Sequence, residues 1–265
     1  MLAVLSPAKS LDWTPPATPV TATEPRMMKD AQSLMRTTRG LSQKRIRELM
    51  SLSADLAKLN YDRYRSFELP FTPENALPAS LAFNGDVYRG LDARSLDTDQ
   101  LEWAQDHVAI LSGLFGILRP LDLIQPYRLE MGTRLKNRRG ANLYAFWGER
   151  IASEINKQVK DHDDPTLVNL ASNEYFKAAK AKAVKAPIIE CVFEDWKEQP
   201  DEGTVIGFLA KYARGLMARY IITERVESAE GLKDFNWDRY KFQPKRSTEN
   251  RWVFTRKFIP VEQSK

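Results

Sequence analysis

The sequence predicts a mixed α/β protein, a single compact domain over residues 1–265. Short apolar runs rich in β-branched residues supply the strands: LAVL at 2–5, TLVNLAS at 166–172 and PIIECVFED at 187–195 have the length and composition of buried strands. Between them, longer stretches place apolar residues at helical spacing. No internal repeat and no long linker divides the chain, and its 43% apolar content is enough for one ordinary core.

Taken in order, the opening strand stops at Ser6-Pro7, because proline has no N–H to continue a ladder. TPPATPVTATEP, at 14–25, is too rich in proline and threonine for a helix interior and reads as an extended loop. Met27, Ala31, Leu34 and Met35, then Ile46, Leu49, Leu52 and Leu56, mark two amphipathic helices divided at Gly40, with Ser42 as a cap for the second. A connection punctuated by Pro70, Pro73 and Pro78 leads to LAFNGDVYRGL, a short strand entering a turn at Asn84-Gly85. DTDQLEWAQDHVAILSG, at 97–113, reads as one helix, acidic at its start and closed by Gly113. ANLYAFWGERIASEINKQV and KYARGLMARYIITERV are further helices, and TVIGFLA, at 204–210, a further strand. The C-terminal YKFQPKRSTENRWVFTRKF predicts two strands joined by a polar hairpin. Strand order does not follow from these patterns.

Composition narrows the chemistry. The single cysteine, Cys191, sits in the apolar run APIIECVF, so no internal disulfide forms and a buried small residue is expected. His107 and His162 are the only histidines, and neither has a ligand partner at metal-binding spacing, so no metal site and no cofactor is expected. DHDDP at 161–165 reads as a solvated acidic turn. No apolar run approaches the roughly 20 residues that span a bilayer, and no signal-like segment opens the chain, so a cytoplasmic protein without a membrane partner is expected. Lys and Arg total 40 against 35 Asp and Glu, a modest excess of +5 that bears on nucleic acid only where it clusters. It clusters between Arg119 and Arg139, over Lys177, Lys180, Lys182 and Lys185, and at Lys211, Arg214 and Arg219.

Six segments together carry a family resemblance. LSPAKSLDW at the start, FNGDVYRGL at 83–91, LSGLFGILRPLDLIQPYRLEMG at 111–132, NLYAFWG at 142–148, NLASNEYFK at 169–177 and KYARGLMARYII at 211–222 resemble the YaaA family of bacterial peroxide-stress resistance proteins. The resemblance covers nearly the whole chain in order. It implies a cytoplasmic protein of distinctive α/β fold with a basic cleft, associated with limiting intracellular iron and oxidative DNA damage, that binds DNA through a helix-hairpin-helix element. ILSGLFGILR, at 110–119, offers the hairpin: Gly113 and Gly116 would open the backbone to a phosphate, Leu114 and Ile117 would anchor it, and Arg119 would add charge. Pro120 and Pro126 would keep the second helix short. Arg128, Arg134, Lys177, Lys211 and Arg214 are the other DNA-binding candidates. Such contacts neutralise phosphates without reading bases, so duplex or branched DNA would be bound independently of sequence. With so few imidazole and thiolate ligands, any lowering of free iron would be indirect.

Lys9 stands where a strand ends in a proline turn, a place where α/β proteins build sites. Set beside other cations it could act as nucleophile or base, with Asp86 or Glu174 handling the proton. Either carboxylate could equally pair with the arginines around PYRLE. In NLASNEYFK, Asn169, Ser172 and Asn173 offer hydrogen bonds and Tyr175 and Phe176 stacking surfaces, or the segment is simply a strand end and a capped helix. Three functions therefore remain open: a DNA-binding peroxide-stress protein, an N-glycosidic hydrolase or lyase acting on nucleosides or damaged DNA, and a non-catalytic module whose basic face binds protein or RNA. What separates them is whether Lys9, Asp86, Arg128, Glu174, Lys211 and Arg214 converge.

Overall fold

The structure, a computed structural model, describes residues 1–16 and 20–258. Among these, eleven strands form: β1 (Leu2–Leu5), β2 (Ser10–Leu11), β3 (Leu77–Pro78), β4 (Phe83–Asn84), β5 (Val108–Ser112), β6 (Gly116–Leu118), β7 (Leu123–Ile124), β8 (Leu167–Asn169), β9 (Ile188–Trp196), β10 (Lys241–Phe242) and β11 (Arg251–Lys257). Ten α-helices accompany them: α1 (Met28–Arg39), α2 (Gln43–Met50), α3 (Ala54–Ser66), α4 (Ala79–Ala82), α5 (Asp86–Leu91), α6 (Thr98–His107), α7 (Leu143–Trp147), α8 (Arg150–Val159), α9 (Asn173–Phe176) and α10 (Gly207–Thr223).

Seven strands make one sheet in the order β10-β11-β9-β8-β1-β5-β6. From β11 to β5 neighbours run parallel, and only the edge strands β10 and β6 are antiparallel to theirs. β1 lies inside the parallel part, with Ala3 facing Val108 on one side and Val168 on the other. All four of its residues are buried, which is why LAVL is an unbroken apolar run rather than an alternating one. Helices α6 and α10 pack on β1 and on each other, and α5 packs on α10. Beyond β9 and β11 the aromatic rings of Phe193, Phe235, Tyr240 and Phe254 close the core edge to face and stacked.

Several expectations change. The second amphipathic helix is two, α2 and α3: Ser51 takes a left-handed φ of 52° and Ser53 accepts a hydrogen bond from the Leu56 N–H at 3.3 Å, so a new helix starts there. Helix α6 ends at His107, and VAILS continues as strand β5 beside β1. Buried apolar residues have no hydrophilic face to reveal their period, and neighbouring strands rather than local propensity decided that segment. The helix-hairpin-helix expected over 110–119 is therefore absent. That segment is a tight β-hairpin between β5 and β6, with Ile110 opposite Leu118 and Ser112 opposite Gly116. TVIGFLA is not a strand either: only Thr204 bridges to Asp195, and α10 begins at Gly207. Among the described residues, consecutive helices joined by three residues occur instead at α1–α2 and at α2–α3, and α2 exposes Lys44, Arg45 and Arg47.

Candidate functional site

The chain leaves β1 toward β5 on one side, and leaves β8 toward β9 on the other. Adjacent parallel strands whose exits diverge leave a crevice at their carboxyl ends, the usual place for a ligand in an open α/β sheet. Ser6 and Ser172, just past β1 and β8, tie the two exits together: the Ser172 N–H donates to Ser6 Oγ at 2.9 Å, and Ser6 Oγ donates to Ser172 Oγ at 3.2 Å. The Tyr88 hydroxyl donates to the Ser6 carbonyl at 3.0 Å and fixes the turn from the other side.

From that turn the chain pairs β2 with β4, Ser10 opposite Asn84, which brings the start of α5 over the crevice. Helix α5 then lies against α10 at unusually close range. A Cβ at Gly90 would overlap the Tyr212 carbonyl oxygen, and one at Gly215 would overlap that of Val87. This contact puts Asp86, at the start of α5, at the same opening as Lys211 and Arg214 of α10.

The result is a cleft of about 420 Å³ whose charged lining is Lys9, Asp86, Glu130, Glu174, Lys211 and Arg214. Five of the six residues whose convergence was in question meet there. The sixth, Arg128, stands behind the lining and holds Glu130, donating through Nη2 at 3.0 Å and Nε at 3.2 Å. Lys9 Nζ reaches the other Glu130 oxygen at 2.9 Å. Burial alone would raise the Glu130 carboxyl, but hydrogen bonds and charge from Lys9 and Arg128 outweigh it and hold the group below its ordinary value. Lys9 thus has a carboxylate as its direct partner, not the cations expected to activate its amine. Three cations face three carboxylates, so the cleft is charge-balanced rather than basic.

The remaining groups are positioned as follows. Asp86 pairs with Arg89 one helical turn away. Glu174 accepts from the Gly132 N–H at 2.8 Å, and its carbonyl accepts from the Tyr144 hydroxyl at 3.0 Å. Lys177 sits over the Tyr144 ring, 5.0 Å from its centroid. Tyr175, which also lines the cleft, and Phe176 are half-buried and pack against the core. Arg214 is the unusual member. Its buried Nε has no hydrogen-bond partner among the described residues, and burial pulls its guanidinium below the ordinary value although Glu190 acts in the opposite direction.

Gly113, Gly116 and Arg119 lie outside the cleft. Both glycines are buried: a Cβ at Gly113 would overlap the Leu129 carbonyl, and Gly116, at φ +73°, would place one 2.8 Å from Met27 Sδ and 2.8 Å from Trp147 Cζ3. They let the β-hairpin pass beneath the segment around Leu129, and no room remains for a phosphate. Arg119 donates to Asp122 Oδ1 through Nε at 3.1 Å and Nη2 at 2.9 Å, and Thr23 shares that buried carboxylate, so the pair anchors the segment before α1. Arg134 is exposed on the chain that leads away from Glu130. Glu130 itself was missed because PYRLE was read for its arginine; the signal was the alternation of apolar and polar residues from Tyr127 onward, which turns Glu130 outward beside Arg128. No group of three or more His, Cys, Asp or Glu among the described residues is arranged to hold a metal ion.

Comparison with known proteins gives a matching picture. The family described as Peroxide stress protein YaaA matches residues 1–246. The chain belongs to that family. It is 54% identical over 256 residues to a UPF0246 protein of Caulobacter vibrioides, covering 97% of this chain and 99% of the relative. It is 52% identical over 257 residues to a UPF0246 protein of Dechloromonas aromatica, with 97% and 99% covered. To a UPF0246 protein of Saccharophagus degradans it is 51% identical over 257 residues, with 97% and 100% covered. In this YaaA-family fold five of the six segments that carried the resemblance line the cleft: LSPAKSLDW brings Ser6 and Lys9, FNGDVYRGL Asp86, PYRLEMG Glu130, NLASNEYFK Ser172 and Glu174, and KYARGLMARYII Lys211 and Arg214. No helix among the described residues is long and apolar enough to cross a membrane.

Proposed function

We propose that this YaaA-family protein is a cytoplasmic peroxide-stress protein that binds DNA without sequence preference and limits its iron-promoted oxidation. The observation that carries the binding step is Arg214: a half-buried guanidinium with an unanswered Nε at a cleft mouth is the side chain that an incoming phosphate would complete. Lys211 beside it, and Arg134 and the cations of α2, which are exposed elsewhere on the surface, are the further donors this reading would use. These cations are spread over three separate elements, α10, α2 and the segment after Glu130, so contacts would be to the phosphate backbone rather than to bases. The α2–α3 pair supplies a helical hairpin for a second backbone contact.

Titrating unrelated duplexes at several salt concentrations tests this reading. Affinity should be the same across sequences and fall with salt by about 0.9 logarithmic unit per log unit for each phosphate neutralised. The protein should also slow plasmid nicking by ferrous iron and peroxide. Strong preference for one sequence, or binding indifferent to salt, would count against it.

A second reading, N-glycosidic chemistry, is favoured by one feature, the Lys9–Glu130 pair facing Asp86 and Glu174 across the cleft. Base release and borohydride trapping on damaged and abasic DNA, each abolished in Lys9→Ala, would establish it.

A further inference from the structure

Of the seven methionines five are buried, and Met28 and Met50 are half-exposed. Met28 opens α1 and packs against the core. Met50 closes α2 and sets its sulfur 3.9 Å from the Tyr64 hydroxyl of α3. Tyr64 is 1% exposed, and burial pushes its phenol above the ordinary value, so the hydroxyl keeps its proton. That proton is donated to the Arg128 carbonyl. A phenol has one proton to give and a thioether is a weak acceptor, so beside an unoxidised sulfur the carbonyl holds it. The same Arg128 arms the cleft. Its guanidinium holds Glu130 at 3.0 Å and 3.2 Å, and Glu130 holds Lys9 at 2.9 Å. A half-exposed sulfur therefore lies beside a buried hydroxyl that fixes the backbone behind the Lys9–Glu130 pair.

We propose that Met50 is an oxidation site, and that its sulfoxide oxygen takes the Tyr64 proton from the Arg128 carbonyl and loosens the segment that presents Glu130 to Lys9. The oxidant is hydrogen peroxide. The sulfur lone pair attacks one peroxide oxygen, so that an S–O bond forms, the O–O bond breaks, and the proton on the transferred oxygen passes to the departing hydroxide to give water. Sulfur loses two electrons and peroxide gains them. The product carries a strongly polarised oxygen where a weak acceptor stood, on an unbranched side chain whose three rotatable bonds can aim it at the hydroxyl. Only the contacts of Met50, Tyr64 and Arg128 enter, so this switch stands apart from DNA binding.

The test treats the folded chain with hydrogen peroxide, removes the excess, locates added oxygen by peptide mass spectrometry, and follows amide hydrogen exchange across residues 127–131. The proteins are the parent, Met50→Leu, Met28→Leu and Tyr64→Phe; Leu for Met keeps the apolar volume. Oxygen should appear at Met50 and Met28 and not at the five buried methionines. Exchange across 127–131 should then rise about tenfold in the parent and in Met28→Leu, the change that one lost hydrogen bond supports, and stay unchanged in Met50→Leu. Lys9 should become more reactive toward an amine-acylating reagent in step with that exchange. Methionine sulfoxide reductase should reverse both changes. Tyr64→Phe should show the faster exchange before treatment and no further rise after it; if that variant does not fold, the parent and Met50→Leu decide. No oxygen at Met50 under conditions that oxidise Met28, exchange unchanged once Met50 is oxidised, or the same rise in Met50→Leu as in the parent overturns the proposal. Each of these outcomes leaves DNA binding where it stood, and a chain that binds no DNA leaves each of these measurements in force.

Discussion

Arg214 shows how a single residue can separate binding from stability. A guanidinium drawn partly out of water with its Nε unpaired is a cost to the folded protein. Arg214→Met keeps the length and discards the charge, so thermal unfolding should be unchanged or shifted upward, by up to about 1 kcal/mol. DNA affinity should fall about tenfold in the same variant, the loss expected for one hydrogen-bonded charge. Glu130 makes the converse case. Its carboxylate holds Lys9 and Arg128, 2.9 Å and 3.0 Å away, and on the proposed reading would compete with a DNA phosphate for them. Glu130→Gln should therefore tighten DNA binding several-fold at low salt, while costing at most about 1 kcal/mol of stability because Lys9 is largely exposed. If Glu130 instead serves catalysis, the same variant would bind normally and lose base release. Lys9 was legible in the sequence because it follows a strand that a proline must end; its partner was not, because nothing local ties Glu130 to a residue at the other end of the chain's first half.

At the scale of elements, glycine decides where chains cross. Gly90 of α5 and Gly215 of α10 face each other's backbones, and a methyl group on either would overlap a carbonyl oxygen. Gly90→Ala and Gly215→Ala should each cost about 3 kcal/mol or more, or prevent folding, read as a lowered urea midpoint or loss of soluble protein. Gly116→Ala acts elsewhere. At φ +73°, with Met27 Sδ and Trp147 each 2.8 Å from the added carbon, it should destabilise by about 1–3 kcal/mol. DNA affinity per folded molecule should stay at the parent value, because the glycine supports the hairpin and not a phosphate. The helices α1, α2 and α8 and the strands β8 and β9 were legible from spacing, composition and caps such as Ser42, whose side chain accepts from the Arg45 N–H at 3.2 Å. VAILS and TVIGFLA were misread for different reasons: the first is apolar on every side because the sheet buries it, and in the second Thr204 makes only a single bridge, to Asp195, before α10 starts at Gly207.

At the scale of the whole molecule, the end of the sheet opposite the cleft gathers the titrating groups. His107 stacks on Trp103 with ring centroids 3.7 Å apart and lies 5.0 Å from His162, while the Met1 ammonium donates to the Glu227 carbonyl at 3.1 Å nearby. Burial first, and the nearby positive charges next, hold both histidines below their ordinary value of 6.5. In the unfolded chain they take up protons at the ordinary value, so between it and the lowered folded values the unfolded state binds more protons. Stability should therefore decline as pH falls through about 6.5 and keep declining until the folded histidines protonate. Urea midpoints measured from about pH 7.5 down to about pH 5.5 should show that slope, and replacing both histidines by Asn should flatten it. By itself the sequence determined the class of fold, the family, the helices with a wet face, and the residue types a phosphate site needs, because those depend on local periodicity, capping and composition. Only the tertiary structure decided that the glycine hairpin is a buried β-turn, that the cleft is charge-balanced, and that Arg214 is left without an answer for its Nε. Each of these depends on which distant backbone lies alongside, and a side chain's charge environment is set by neighbours in space that its neighbours in sequence do not name.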